Sequence, residues 1–230
     1  MKKFAAIAVL ATSSVLASVS AHADTLGARA GIDFWNMNSN SASVKMSGTT
    51  YHPDYDTKFR PGFYASVEHP IPLLPNFMVR YQDLDTSGHT GSVGVDSDLN
   101  MYDAVFYYQL FDNPAFGFDY GVNIKYFDGT AHVSGVSKDY SQAIPTLYLA
   151  ANVNIPMTGL EIFGNTSNMH FDGNHVSDSQ IGISYDVLPM VVASLQLRAG
   201  YRYLDTKFDD SGVKVDNTTQ GWFLGLGMHL

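Results

Sequence analysis

The chain has 230 residues, 45% of them hydrophobic, 13% aromatic and 15% charged, with no cysteine and a formal net charge of −9. These proportions suit one folded domain and exclude a disordered or collagen-like chain. Without cysteine there is no disulfide scaffold, thiolate metal site or cysteine nucleophile, and the acidic balance argues against a nucleic-acid binder, which needs a basic face.

Residues 1–23 read as a cleaved signal peptide. Lys2 and Lys3 supply the positive start, Phe4 to Leu16 the apolar run, and Ala21-His22-Ala23 the small-x-small exit. A run this short with that exit is a poor membrane span. Cleavage after Ala23 leaves residues 24–230 as the exported domain, 207 residues with a formal charge of −11 once the two lysines are gone.

After Ala23 the apolar residues recur at every second position, the periodicity of β-strands. The first strand sets Leu26, Ala28, Ala30, Ile32 and Phe34 against Gly27, Arg29, Gly31 and Asp33. The second sets Phe59, Phe63, Ala65 and Val67 against Lys58, Arg60, Tyr64, Ser66 and Glu68; the third sets Phe77, Val79 and Tyr81 against Arg80 and Gln82. Tyr102 to Leu110 alternate with Asp103, Tyr107 and Gln109, and Phe118 to Tyr126 with Asp119, Asn123 and Lys125. The sixth strand runs Ala143 to Val153 and the seventh, with the weakest pattern, about Leu160 to Ser167 and containing Glu161. Ile181 to Tyr185, Leu195 to Tyr203 and Trp222 to Leu230 complete a count of ten.

All seven basic residues inside these strands (Arg29, Lys58, Arg60, Arg80, Lys125, Arg198, Arg202) fall on the polar face, and the other face carries one charge, Asp83 at a strand end. Alternation alone does not separate a soluble sandwich from a membrane barrel. The connections do. Short turns containing proline (69–76, 112–115, 155–159, 186–190) alternate with long polar loops such as 37–57 and 205–216, the pattern of an outer-membrane barrel. Aromatic residues sit where two girdles belong: Phe34, Phe59, Tyr81, Tyr126, Tyr203 and Trp222 toward the loops, Phe77, Tyr108, Phe116 and Phe118 toward the turns. The expected fold is all-β, a transmembrane up-and-down antiparallel β-barrel of about ten strands closed on itself, with both termini at the periplasmic end. A soluble periplasmic β-sheet protein is the alternative.

Asp85, Asp128, Asp172 and Asp205 recur near the strand tops, about one hairpin apart, and are read as turn starters. The segments Ala30 to Met37, Glu68 to Asn76, Asp83 to Gly88, Asp112-Asn113-Pro114 and Gly200-Tyr201-Arg202-Tyr203 resemble a family of small Gram-negative outer-membrane β-barrel proteins whose function is not established. The resemblance runs along the whole mature chain, and its most specific piece is the proline-rich turn after the second strand. It implies a barrel in the cell outer membrane and no catalytic or ligand residue. Where such barrels end in an aromatic residue, this chain ends Met228-His229-Leu230.

The seven inward bases face six inward acids, Asp33, Glu68, Asp103, Asp119, Glu161 and Asp178. A barrel of about ten strands is narrow enough for side chains to fill, so the expected arrangement is a polar, ion-paired lumen network, because unpaired buried charge is costly. The connections carry thirteen acids, with Asp178 at a boundary and counted in both regions, against four bases. Their carboxylates could hold divalent cations, but Asp96-Ser97-Asp98 lacks the rest of an EF-hand loop. His52, His89, His132, His170 and His175 have Asp or Ser beside most of them, yet no spacing assembles a nucleophile, a base and an orienting group. The expected function is a structural or surface-interaction barrel without cofactor. A narrow pore for small solutes or ions is the alternative, and an outer-membrane enzyme acting on lipid A or peptides the third reading. Expected partners are outer-membrane lipids, lipopolysaccharide, the barrel assembly machinery and divalent cations at the acidic loops.

Overall fold

The computed structural model describes residues 26–46, 48–71, 73–171, 174–189, 193–210 and 213–230; the signal-peptide reading lies outside them. The elements in chain order are β1 (Gly27–Met46), β2 (Thr49–Tyr51), β3 (Asp54–Tyr55), β4 (Lys58–Glu68), β5 (Asn76–Asp83), β6 (Thr86–Thr90), β7 (Val93–Asn113), β8 (Phe116–Val133), β9 (Val136–Ile155), β10 (Leu160–Phe171), β11 (Asn174–Pro189), β12 (Ser194–Asp210) and β13 (Val213–His229). Ten of these, all but β2, β3 and β6, pair antiparallel with their neighbours. The β1–β13 pairing closes the ring.

The register fixes the barrel's shape. From Phe63, one path of paired residues runs through Tyr81, Tyr102 and Tyr126 to Ala143 on β9. The other runs through Ile32, Leu226, Leu197, Tyr185 and Leu160 and reaches β9 at Ile155. The two arrivals are twelve residues apart, so the barrel has ten strands with a shear of twelve and a strand tilt of about 40°. The two closing strands, β1 and β13, meet at the short-turn rim, where Ala28 and Leu230 exchange both backbone hydrogen bonds. Side chains shape the turns there: Asn113 Oδ1 accepts the N–H groups of Ala115 and Phe116, and Asn76 Oδ1 accepts that of His69.

Around the lower part of the barrel the outward positions form an apolar belt. Trp222 is 67% exposed, Leu224 65% and Ile181 63%, which water would penalise over so large a contiguous area. Nine of the ten barrel strands are at least as long as the 9–11 residues a tilted strand needs to cross a bilayer, and β5 has eight. Aromatic rings line up at the upper edge, with Phe63, Tyr81, Tyr102 and Tyr126 in successive contact and Tyr201 edge-on to Trp222.

The strands do not stop at this edge. The expected loops 37–57 and 205–216 are for the most part strand: β1 continues to Met46 and pairs with β13 as far as Val213, while β12 runs to Asp210. β7 and β8 rise together to Val95 and Val133. A barrel extension of paired strands replaces the expected polar loops, because these segments have an apolar face of their own. Trp35, Met37, Val44, Leu84, Val95, Phe127, Tyr140, Val176, Leu204 and Phe223 all point inward there and are buried. Asp128 and Asp205 consequently lie within β8 and β12 rather than at turn starts. Asp85 does sit between strands, where its Oδ1 accepts the Leu99 N–H at 2.7 Å, and Asp172 lies outside the described residues.

Candidate functional site

The lumen has three levels. At the short-turn end, Arg29, Glu68, Asp119 and Glu161 line a cavity of about 130 Å³ together with Tyr107, Tyr148 and Asn152. The Glu68 carboxylate accepts the Tyr107 hydroxyl at 3.0 Å, and Glu161 takes hydrogen bonds from Ser184 and Asn152. Just above, Arg198 donates to the Tyr64 hydroxyl at 2.6 Å and pairs with Asp33 at 3.3 Å. Its guanidinium also lies over the Tyr64 and Phe163 rings, an arrangement that suits its flat, weakly hydrated charge.

The middle level is a closed ion cluster. Lys125, fully buried on β8, donates to Asp103 of neighbouring β7 at 3.0 Å and to Asp178 at 2.6 Å. Asp178 sits on β11, across the lumen. Arg80 from β5 binds Asp103 at 2.8 Å, and Arg202 from β12 binds Asp178 through two nitrogens at 2.9 Å. Arg202 also donates to Gln82 Oε1 at 2.9 Å and lies over the Trp35 ring. Strand alternation explains the convergence: all six of these polar side chains occupy inward positions, and the tilt brings β5, β7, β8, β11 and β12 to one height. Three cations share two carboxylates, so each carboxylate bridges at least two partners. Removing one cation therefore still leaves each carboxylate a partner.

The third level is the apolar core of the extension. Its few polar groups are tied down: Trp35 Nε1 donates to the Gly221 carbonyl at 3.1 Å, and the Tyr140 hydroxyl lies 3.0 Å from Ser97 Oγ. Burial pushes the Tyr140 phenol up to about 12. A second cavity within this core, about 30 Å³, is separate from the lower one. The fully buried side chains of Trp35, Phe127 and Lys125 fill the lumen.

Of the residues singled out in the sequence, Arg80, Asp103, Lys125 and Arg202 form the ion cluster, Asp33 and Arg198 a pair below it, and Arg29, Glu68, Asp119 and Glu161 the lower end of the cavity, whose lining also takes in Asp33, Arg198, Arg80 and Arg202. Lys58 and Arg60 stand apart near the upper rim, where Lys58 donates to Ser87 and Arg60 to the Asp85 carbonyl and to Asp83. Asp178 belongs wholly to the lumen, at 3% exposure, so it drops out of the acidic rim. The apolar third level was not expected. Its signal is a change of face: Phe34-Trp35, Tyr126-Phe127, Tyr203-Leu204 and Trp222-Phe223 each put an outward aromatic beside an inward core residue.

No family model matches the chain, and no curated protein does. The sequence resemblance to small outer-membrane barrels of unestablished function is therefore not carried to membership. Among solved structures the chain is similar to the transport unit of the Escherichia coli autotransporter AIDA-I, at 14% identity, 95% of this chain, 94% of that one and a TM-score of 0.44. It is similar to Neisserial surface protein A at 17% identity, 89% and 96% coverage and a TM-score of 0.36. It is likewise similar to Ail, the attachment invasion locus protein of Yersinia pestis, at 14% identity, 89% and 98% coverage and a TM-score of 0.36.

Proposed function

We propose that the protein is an exported, integral barrel of the Gram-negative outer membrane, with the short turns in the periplasm, and that it does not conduct. Its role is structural or surface-directed: the barrel anchors a stiff, acidic strand extension outside the cell. The lumen filling carries this reading. A solute entering from the periplasm meets the Arg80–Asp103–Lys125–Asp178–Arg202 cluster, and beyond it the packed rings of Trp35, Phe127 and Phe223. Hydrated ions do not cross packed apolar side chains, and a conducting barrel needs weak, water-separated sites along its path. The outward apolar belt and its aromatic edge support the membrane setting.

Liposome swelling tests it. Vesicles carrying the purified barrel should swell no faster in an arabinose gradient than empty vesicles. Swelling that rises with protein content would instead support the narrow pore.

A further inference from the structure

On the outer wall of the extension three side chains form a relay that their positions in the sequence hide. Ser137 Oγ lies 2.7 Å from His132 Nδ1, and His132 Nε2 lies 3.2 Å from Asp98 Oδ2. One tautomer satisfies both contacts: the imidazole carries its proton on Nε2 and gives it to Asp98, leaving Nδ1 to accept the Ser137 hydroxyl. The strands impose the order. Ser137 on β9 is directly opposite His132 on β8, and Asp98 on β7 is diagonal to it on the same face. Exposed ion pairs contribute little to stability, so packing does not require this arrangement. It is the arrangement of a serine nucleophile, its general base and the carboxylate that orients the base.

We infer that Ser137 is the nucleophile of an esterase site for short-chain esters borne on sugars. Two observations select the substrate class, and its setting rests on the membrane placement proposed above. His132 lies six residues beyond the girdle residue Tyr126 on β8, roughly 15 Å higher once the tilt is taken into account. That height is above the acyl ester carbonyls of a bilayer and within the saccharide layer over it. The face around the relay is polar, with Thr130 donating to Asp139 at 2.8 Å beside it, which suits a sugar better than a long acyl chain. In the reaction Ser137 Oγ bonds to the acyl carbon as its proton passes to His132 Nδ1. The bond from acyl carbon to sugar oxygen then breaks, and His132 returns the proton to that oxygen. Water, giving a proton to His132, attacks the acyl-serine, releases the carboxylic acid and restores the Ser137 hydroxyl. Asp98 stays ionised and positions the imidazole.

The test uses the folded full-length barrel in detergent, a fluorophosphonate probe, and hydrolysis of a peracetylated monosaccharide and of p-nitrophenyl palmitate. The probe should label Ser137, identified by peptide mass spectrometry, and the acetylated sugar should be cleaved but not the palmitate. Ser137→Ala should abolish both signals, and His132→Ala should lower the labelling rate about a hundredfold. Asp98→Asn should lower it by less, with partial recovery in Asp98→Glu. Heat-modifiable gel migration should be unchanged in all four variants, since Asp98 and Ser137 are exposed and His132 is half-exposed on the outer wall. The His175–Asp205 pair, with His170 where the relay has a serine, provides a control: His175→Ala should alter neither signal. No label at Ser137, or acetate release unchanged in Ser137→Ala, overturns the site. Cleavage of palmitate alone overturns the substrate class. A barrel that conducts while labelling Ser137 overturns the non-conducting reading and leaves this site standing.

Discussion

Lys125 Nζ and Asp178 Oδ2 meet at 2.6 Å although β8 and β11 are separated in the ring by β9 and β10. The contact is a chord inside the barrel rather than a rung between neighbours, so it ties together two strands that are three apart in the ring. Replacing Lys125 with Met should cost about 1–3 kcal/mol, because the link between the two carboxylates is lost while Asp103 keeps Arg80 and Asp178 keeps Arg202. The check is the urea midpoint for loss of the heat-modifiable band in detergent. Asp103→Asn should cost less in the Lys125→Met background than in the wild type, because the Lys125–Asp103 contact is then already gone.

The outward register is open to chemistry. Leu197 and Leu224 face the apolar surroundings at 51% and 65% exposure, whereas Arg198 is folded into the lumen against Asp33 and Tyr64. Cysteines at 197 and 224 should react with a lipid-soluble maleimide in proteoliposomes, and a cysteine at 198 should not. Leu224→Arg should destabilise the barrel by about 2–4 kcal/mol if that position lies near the midplane. The reverse labelling would shift every strand by one residue.

Gly221 marks the tightest point of the closing strand. A Cβ there would be driven into the Asn36 carbonyl oxygen of β1, on the inward side where Trp35 donates to the Gly221 carbonyl. Gly221→Ala should therefore strain the β1–β13 pairing and cost about 1–3 kcal/mol. Gly94, with open space around its position, should accept alanine with little change. Urea midpoints of the two variants make the comparison.

Most of the barrel was legible because lipid and lumen impose opposite demands at alternate positions, as at Phe118 to Tyr126 on β8. The seventh strand was harder to see because β10 turns Gly164, Thr166 and Asn168 outward, where Thr166 and Asn168 bond to each other and to Ser179 and Ser177 of β11. The extension was missed for a related reason. Above the aromatic edge water replaces lipid outside, so the apolar side moves inward, and the inversion at Tyr126-Phe127 reads as a loss of pattern. The lumen charges could be assigned to a face, but their partners could not. Arg80, Lys125 and Asp178 are joined by tilt and shear, quantities that no single strand displays. His170 and His175 likewise looked unrelated, yet the β10–β11 hairpin sets their Nδ1 atoms 3.3 Å apart.

Single-channel recording in planar bilayers tests the central claim, a closed lumen, most directly. The wild-type barrel should give no steady conductance step, and substitution of both Trp35 and Phe127 by alanine, which thins the apolar level, should introduce one or make the baseline noisy. A steady conductance in the wild type whose ion selectivity changes with Arg80→Ala or Arg198→Ala would contradict the account.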